Sequence, residues 1–201
     1  MRYYKKLVGS KCYLSPISPD DAELFTEWLN DIELTKYLAI IRNSYTVSKE
    51  KEILEEMAKN DHAYVIVDIE INKPIGIVSI FRFDHINNTC ELGLFIGDKD
   101  YWNLGYGEEA TRLLLDFAFT ILNINNVMLL VIDFNVRAIK CYEKIGFKEI
   151  GRRRQAYHIA GRKYDIVYMD ILNEEFDSTY LKQMFSDEYE ASQKPKKIEM
   201  V

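Results

Sequence analysis

The chain has 201 residues, of which 48% are hydrophobic and 13% aromatic, and a net charge of −6. That is enough apolar material for one fully cored domain and too much for a disordered chain. The acidic balance argues against nucleic acid as the partner, and no apolar run approaches the roughly 18 residues that span a bilayer.

The opening stretch "MRYYKKLVGSKCYL" lacks the apolar core and small-residue cleavage site of a signal peptide. Cys12, Cys90 and Cys141 are odd in number and widely spaced, and His62, His85 and His158 share no ligand spacing. Neither a disulfide framework nor a metal site is expected, and a reduced, cytoplasmic setting follows.

In chain order, "KCYLSPISPDDAELFTEWLND" reads as a strand, a Ser-Pro turn and a helix. Ser18 is placed to cap that helix, Pro19 takes its first position, and Leu24, Phe25, Trp28 and Leu29 recur at helical spacing. "SKEKEILEEMAKN" repeats the scheme, with Ser48 as the expected cap and Ile53, Leu54, Met57 and Ala58 as the stripe. The period then changes. "AYVIVDIEINKPIGIVSIFRFDH" is a hairpin broken at Asn72-Lys73-Pro74, and "CELGLFIG" is a third strand.

A glycine loop, "NLGYGEEA", follows. Ala110, Leu113, Leu114, Phe117, Ala118 and Ile121 mark an amphipathic helix behind it, beginning near Glu108. "VMLLVIDF" is so uniformly apolar that a central strand buried on both faces is expected. Asn135 can cap the next helix, which Gly146 ends, and "AYHIAGRKYDIVYMDIL" is a hairpin turning at Ala160-Gly161. From Asn173 the character alters. Phe176, Tyr180, Leu181, Met184 and Phe185 suit one side of a last helix, for docking or a homodimer contact, and "ASQKPKKIEMV" is a polar tail. The expected division is therefore one domain over 1–172 and a C-terminal helix and tail over 173–201.

Gly105 to Ala110 matches the dinucleotide fingerprint G-x-G-x-x-A, but "GDKDYWNL" separates it from the preceding strand, and too little chain follows for the remaining parallel strands. Asp133 does stand where a ribose-binding acid would. The chemistry of the loop survives without that fold. Gly105 and Gly107 allow close backbone approach and positive φ, and a helix start offers free N–H groups and a dipole to an anion.

"YWNLGYGEEATRLLLDFAF" followed by "NVMLLVIDFNVRAIKCYEKIGFKEIGRRRQAYHIAGRKYDIVYMDI" resembles the GNAT superfamily of acyl-CoA-dependent N-acetyltransferases. The resemblance is strongest to the branch of ribosomal-protein N-terminal and spermidine acetyltransferases. It runs from about Tyr13 to Leu172. It implies a mixed α/β fold with a central, mostly antiparallel sheet of six to seven strands and about four flanking helices. Carried over residue by residue, Asn103, Leu104, Gly105, Tyr106, Gly107 and Glu108 form a cradle for the pyrophosphate of acetyl-CoA. Leu94, Phe95 and Ile96 pair with its pantetheine arm as a strand would, and Asn135 contacts that arm. Trp102 departs from the family pattern, standing where Gln or Arg is common, and removes a side-chain contribution to phosphate binding.

Acetyl transfer to an amine needs a neutral amine, an oxyanion donor and a proton for the leaving thiolate. At pH 7 a polyamine-like amine of pKa about 10.4 costs roughly 4.6 kcal/mol to neutralise, and an α-amine near 8 only about 1.4 kcal/mol. Glu91, on the strand entering the cleft, is the candidate base, or else a solvated edge acid. Tyr142 matches the family tyrosine that protonates the thiolate, or else packs the inner face of its helix. Cys141 suggests an acyl-cysteine but has no matched His base. Asp20, Asp21, Glu23, Glu27, Asp31 and Glu33 suit a cationic amine if they line the acceptor cleft. The acceptor is thus a small-molecule or peptide amine, and the rival reading is a non-catalytic acyl-CoA-binding module.

Overall fold

The computed structural model describes residues 3–59, 62–177, 181, 182, 184 and 185. One eight-stranded sheet carries the fold: β1 (Leu7–Val8), β2 (Cys12–Pro16), β3 (Ala63–Asp68), β4 (Pro74–Asp84), β5 (Thr89–Ile96), β6 (Asn126–Ile132), β7 (Lys148–Ile159) and β8 (Arg162–Leu172). Their spatial order is β1-β2-β3-β4-β5-β6-β8-β7, antiparallel throughout except for β5 with β6. Among the described residues these helices accompany it: α1 (Ala22–Asn30), α2 (Ile32–Thr35), α3 (Val47–Ala58), α4 (Tyr106–Thr120) and α5 (Val136–Ile145). The mixed, mostly antiparallel architecture is the one expected. The extra strand is the two-residue β1, too short to leave a sequence period.

Period-two burial divides the core. In β3, Tyr64 and Ile66 join the cluster with Leu114, Leu115 and Ala118 of α4, whereas Ala63, Val65 and Val67 join Phe25 and Trp28 of α1 and Leu54 of α3. The sheet is therefore covered on both faces, by α4 and α5 on one side and α1–α3 on the other. Phe25 and Trp28 meet edge to face at 5.1 Å.

Local signals place most boundaries. The Ser18 hydroxyl accepts from the Asp20 N–H, with Pro19 opening a 3-10 turn before α1. Asn135 Oδ1 accepts from the Ala138 N–H, and Gly146, at φ 121°, stops α5. Ala160 and Gly161, at φ 51° and 73°, form the tight turn between β7 and β8. Three expectations are corrected. Thr46, not Ser48, caps α3: it is the last extended residue, and its hydroxyl accepts from the Lys49 N–H. Helix α4 begins at Tyr106, two residues before Glu108, because Gly105 can take the left-handed φ of 87° that starts it. Strand β6 is not buried on both faces. Val127, Leu129 and Val131 are buried, but Leu130 is 41% exposed, since the sheet opens beside it.

The last helix and tail expected from Asn173 fall largely outside the described residues, Tyr180 included. Within them, Asn173–Glu175 is a 3-10 turn, Phe176 packs against Phe119 at 5.5 Å, and the Leu181 N–H donates to Asp116 Oδ2.

Glu50, in the first turn of α3, is 2% exposed, and its Oε2 meets no partner among the described residues. Burial pushes its carboxyl up from 4.5 to about 7. A carboxyl raised by folding takes up its proton more readily in the folded state, so its destabilising effect is absent at low pH and grows as pH rises through that window. Glu50→Gln is therefore expected to add about 2 kcal/mol of stability near pH 8 and nothing near pH 4, read from urea melts at the two pH values.

Candidate active site

Strands β5 and β6 pair for only three residues, ending at Glu91 opposite Met128. Beyond that point β5 follows β4 to Ile96, while β6 follows β8 to Ile132. The sheet forks, and a cleft of 1080 Å³ lies along the fork. The Gly97 N–H donates to Ile75 O on the β4 side, so strand alternation turns the backbone groups of Leu94 and Ile96 toward the cleft and those of Phe95 away. Of the three residues expected to pair with a pantetheine arm, Leu94 and Ile96 thus present an open edge. The Ile96 carbonyl is already engaged by the indole N–H of Trp102 at 2.9 Å. Trp102 binds the strand in place of a phosphate.

At the other end of the cleft lies the glycine loop. Asn103 (φ 62°) and Gly105 (φ 87°) hold left-handed backbone, and no side chain caps α4, so the N–H groups of its first turn have no helical acceptor. Gly107 is needed for space rather than for φ: a Cβ there would stand 3.2 Å from Leu94 Cδ2. Leu104 is exposed at the rim. Two members of the expected cradle use their side chains elsewhere. The Tyr106 hydroxyl donates to Asp68 Oδ2 at 2.6 Å, anchoring α4 to the end of β3. Glu108 pairs with Lys144 at 2.6 Å and Arg112 at 3.4 Å, and Lys144 above all holds its carboxyl below the usual range. Only their backbone is free for the loop.

Cations that the sequence reading missed line the cleft: Lys11, Arg112, Arg137, Lys140 and Lys144. Arg137, Lys140 and Lys144, three and four apart on one helix, were legible as a basic stripe. Lys11 was not, because it arrives from the turn between β1 and β2.

Asn135 and Tyr142 both line the cleft, as seven-residue spacing on one helix requires. The Asn135 side-chain oxygen accepts the capping bond from the Ala138 N–H. Tyr142 is buried at 7% exposure, with its ring against Phe147 at 5.7 Å. Burial holds its phenol well above the usual range, which keeps it protonated, and no hydrogen bond engages its hydroxyl among the described residues. Burial also raises the neighbouring Cys141 thiol, which disfavours the thiolate that an acyl-cysteine would require.

The acidic segment does not line the cleft. Asp21 is buried and accepts from the Tyr3 hydroxyl, while Asp31 and Glu33 both pair with Lys99, at 2.7 and 3.0 Å. From α2 and the residues after it, the lining is Leu34, Tyr37, Leu38 and Ala39. Glu91 does line the cleft, with both oxygens held by Arg82 Nη1 at 3.0 and 2.9 Å. Arg137 lies 3.8 Å over the Trp102 ring and 5.3 Å from that of Tyr37. Asp133 accepts from the Asp165 N–H and so serves the β6–β8 junction.

The family model for the acetyltransferase (GNAT) domain matches residues 11–148. The chain belongs to the GNAT acetyltransferase family. Among relatives of this GNAT protein, the uncharacterised N-acetyltransferase p20 of Bacillus licheniformis is 26% identical, over 85% of this chain and 97% of its own. The spermidine N(1)-acetyltransferase of Vibrio cholerae is 29% identical, over 58% of this chain and 66% of its own. The crystal structure of spermidine N-acetyltransferase from Vibrio cholerae in complex with CoA and spermine shares the fold. Its TM-score is 0.74 at 24% identity, covering 83% of this chain and 98% of that one.

The residues present fit coenzyme A. The GNAT cleft combines free N–H groups at the start of α4, a close approach of Gly107 to Leu94, an open strand edge at Leu94 and Ile96, and five cations in its lining. The protein is an N-acetyltransferase. Among the described residues no group of three or more His, Cys, Asp or Glu is placed to hold a metal ion, and no helix is long and apolar enough to cross a membrane.

Proposed function

We propose that the protein transfers an acetyl group from acetyl-CoA directly to the primary amine of an acceptor, with Tyr142 as the acid for the leaving thiol. The observation that carries this reading is the convergence of the fork, the glycine loop and an unengaged, protonated phenol on one cleft. Asn103 to Glu108 hold the diphosphate through backbone N–H groups. Leu94 and the Ile96 N–H align the pantetheine arm, with Asn135 beside it, and Tyr142 donates its proton to the departing sulfur. Glu91, at the point where the strands part, receives the incoming ammonium; the amine gives one proton to solvent before it attacks the thioester carbonyl and, as the C–S bond breaks, a second that restores the Tyr142 phenol.

The relatives named for spermidine support a primary-amine acceptor. The charges of this cleft favour one with a single positive charge, of the peptide α-amine kind. Arg82 neutralises Glu91, and Arg137 adds a further cation among aromatic rings, so a polyamine meets repulsion where the acidic segment was expected to attract it. Both Glu91 oxygens are already engaged by Arg82, which matters little for an α-amine that costs about 1.4 kcal/mol to neutralise and much more for a polyamine at about 4.6 kcal/mol.

An acceptor screen reading thiol release from acetyl-CoA tests both parts. Peptide α-amines are expected to exceed spermidine in kcat/KM by at least about 10-fold, and Glu91→Gln to reduce turnover of the best acceptor by about 10-fold. Spermidine as the best acceptor would overturn the α-amine reading. Binding of coenzyme A with no turnover on any amine would overturn the proposed reaction.

A further inference from the structure

The carboxylate of Glu109, in the second half of the first turn of α4, accepts four hydrogen bonds. Its Oε1 accepts from the Ser10 N–H at 2.9 Å and the Ser10 hydroxyl at 2.5 Å, and its Oε2 accepts from the N–H groups of Lys11 and Cys12, each at 2.8 Å. Burial alone would raise this carboxyl. The Ser10 hydroxyl and the three backbone donors outweigh it and hold the carboxyl below its usual range, so the anion persists at neutral pH. The fit is close: a Cβ on Gly9 would stand 2.6 Å from the carboxyl carbon. A carboxylate from the cradle helix therefore ties down a turn from the far end of the chain.

The tie fixes where Lys11 points. Its ammonium donates to Leu104 O at 2.7 Å, and a Cβ on Gly105 would stand 3.4 Å from it. Lys11 lines the cleft and forms no salt bridge among the described residues, whereas Lys144 and Arg112 are both paired with Glu108. Of the three donors on the ammonium, one is used on Leu104 O and two remain. They stand beside the unpaired N–H groups at the start of α4, where backbone dipole and cation act on the same anion.

Resting on the reading that acetyl-CoA occupies this cleft, we propose that Lys11 is a diphosphate-binding residue, supplied by the β1–β2 turn and positioned by Glu109. Lys11 closes the cradle from the side that the glycine loop leaves open. Charge on the bound group comes from its phosphates, so Lys11 acts on coenzyme A and not on pantetheine, which has none.

Isothermal titration of the full chain with coenzyme A and with pantetheine, at low ionic strength, tests this. Lys11→Met is expected to raise the Kd of coenzyme A by about 10- to 100-fold, the size of one charge-assisted contact, and to leave that of pantetheine unchanged. Lys11→Arg should recover most of the loss. Glu109→Gln should weaken coenzyme A several-fold in the parent and add nothing in the Lys11→Met background, because its role passes through Lys11. Lys11 is exposed, so unliganded melting temperatures should stay level. Equal coenzyme A affinity in Lys11→Met and the parent would overturn the assignment of Lys11. Equal losses for pantetheine and coenzyme A would mark Lys11 as a brace of the loop alone. Full additivity of the two substitutions would overturn the positioning role of Glu109. No binding of coenzyme A by the parent would instead overturn the cofactor reading itself.

Discussion

Tyr142→Phe is expected to lower kcat about 100-fold with little change in KM for acetyl-CoA. The fold should survive, because the ring keeps its contact with Phe147 and the lost hydroxyl has no partner among the described residues to leave stranded. A thiolate whose parent thiol has a pKa near 8.5 departs unassisted at some rate, so the acid accelerates the step without being indispensable. A thioester with a more acidic thiol should accordingly shrink the difference between variant and parent. The raised phenol pKa keeps Tyr142 protonated across the neutral range, so it holds a proton to give and cannot act as a base there. Steady-state kinetics with two thioesters give the answer. An unchanged kcat in a folded Phe variant would return Tyr142 to the core.

Gly105→Val and Gly107→Val are expected to abolish stabilisation by coenzyme A, for different reasons. A ligand at one hundred times its Kd stabilises the parent by about 2.7 kcal/mol. Gly105 sits at φ 87°, a conformation a β-branched residue resists, so valine there distorts the start of α4 and turns its N–H groups away. Gly107 has ordinary helical backbone but only tight space beside Leu94, and the branched valine side chain there presses on Leu94 and narrows the cradle. Gly105→Ala separates strain from blockage: it should cost stability by about 1 kcal/mol and still respond to coenzyme A. Thermal melts with coenzyme A and, as a control, NAD read the outcome. Stabilisation by NAD but not by coenzyme A would restore the dinucleotide reading of the loop.

Much of the fold was legible because its signals are short-range. Ser18, Asn135, Gly146 and the Ala160-Gly161 turn each act within a few residues, and the stripe of α4 and the alternation of β3 need only a window of one element. Thr46 was missed in favour of Ser48 because both can cap and neither the spacing nor the composition separates them. Of the proposed site, the glycine loop followed from the chemistry of a helix start, and Asn135 and Tyr142 from the family resemblance, with helical spacing putting the two on one side.

The amino-acid sequence by itself determined the class of the fold, the glycine loop that opens α4 and the order of the elements around it. These rest on backbone conformation and hydrophobic period, which each residue shares only with near neighbours. Which charges meet was decided by the tertiary structure. Glu109 and Lys11 are 98 residues apart, Lys99 and Glu33 are 66, and whether an acid is free or neutralised depends on which strand lies beside it. The sequence therefore offered an acidic acceptor cleft, and the packing gave one whose acid is held by Arg82, because electrostatic pairing acts through space and leaves no period along the chain. The fork that exposes Leu130 and opens the edge of β5 has the same origin: two apolar strands look alike in sequence, and only their neighbours part them.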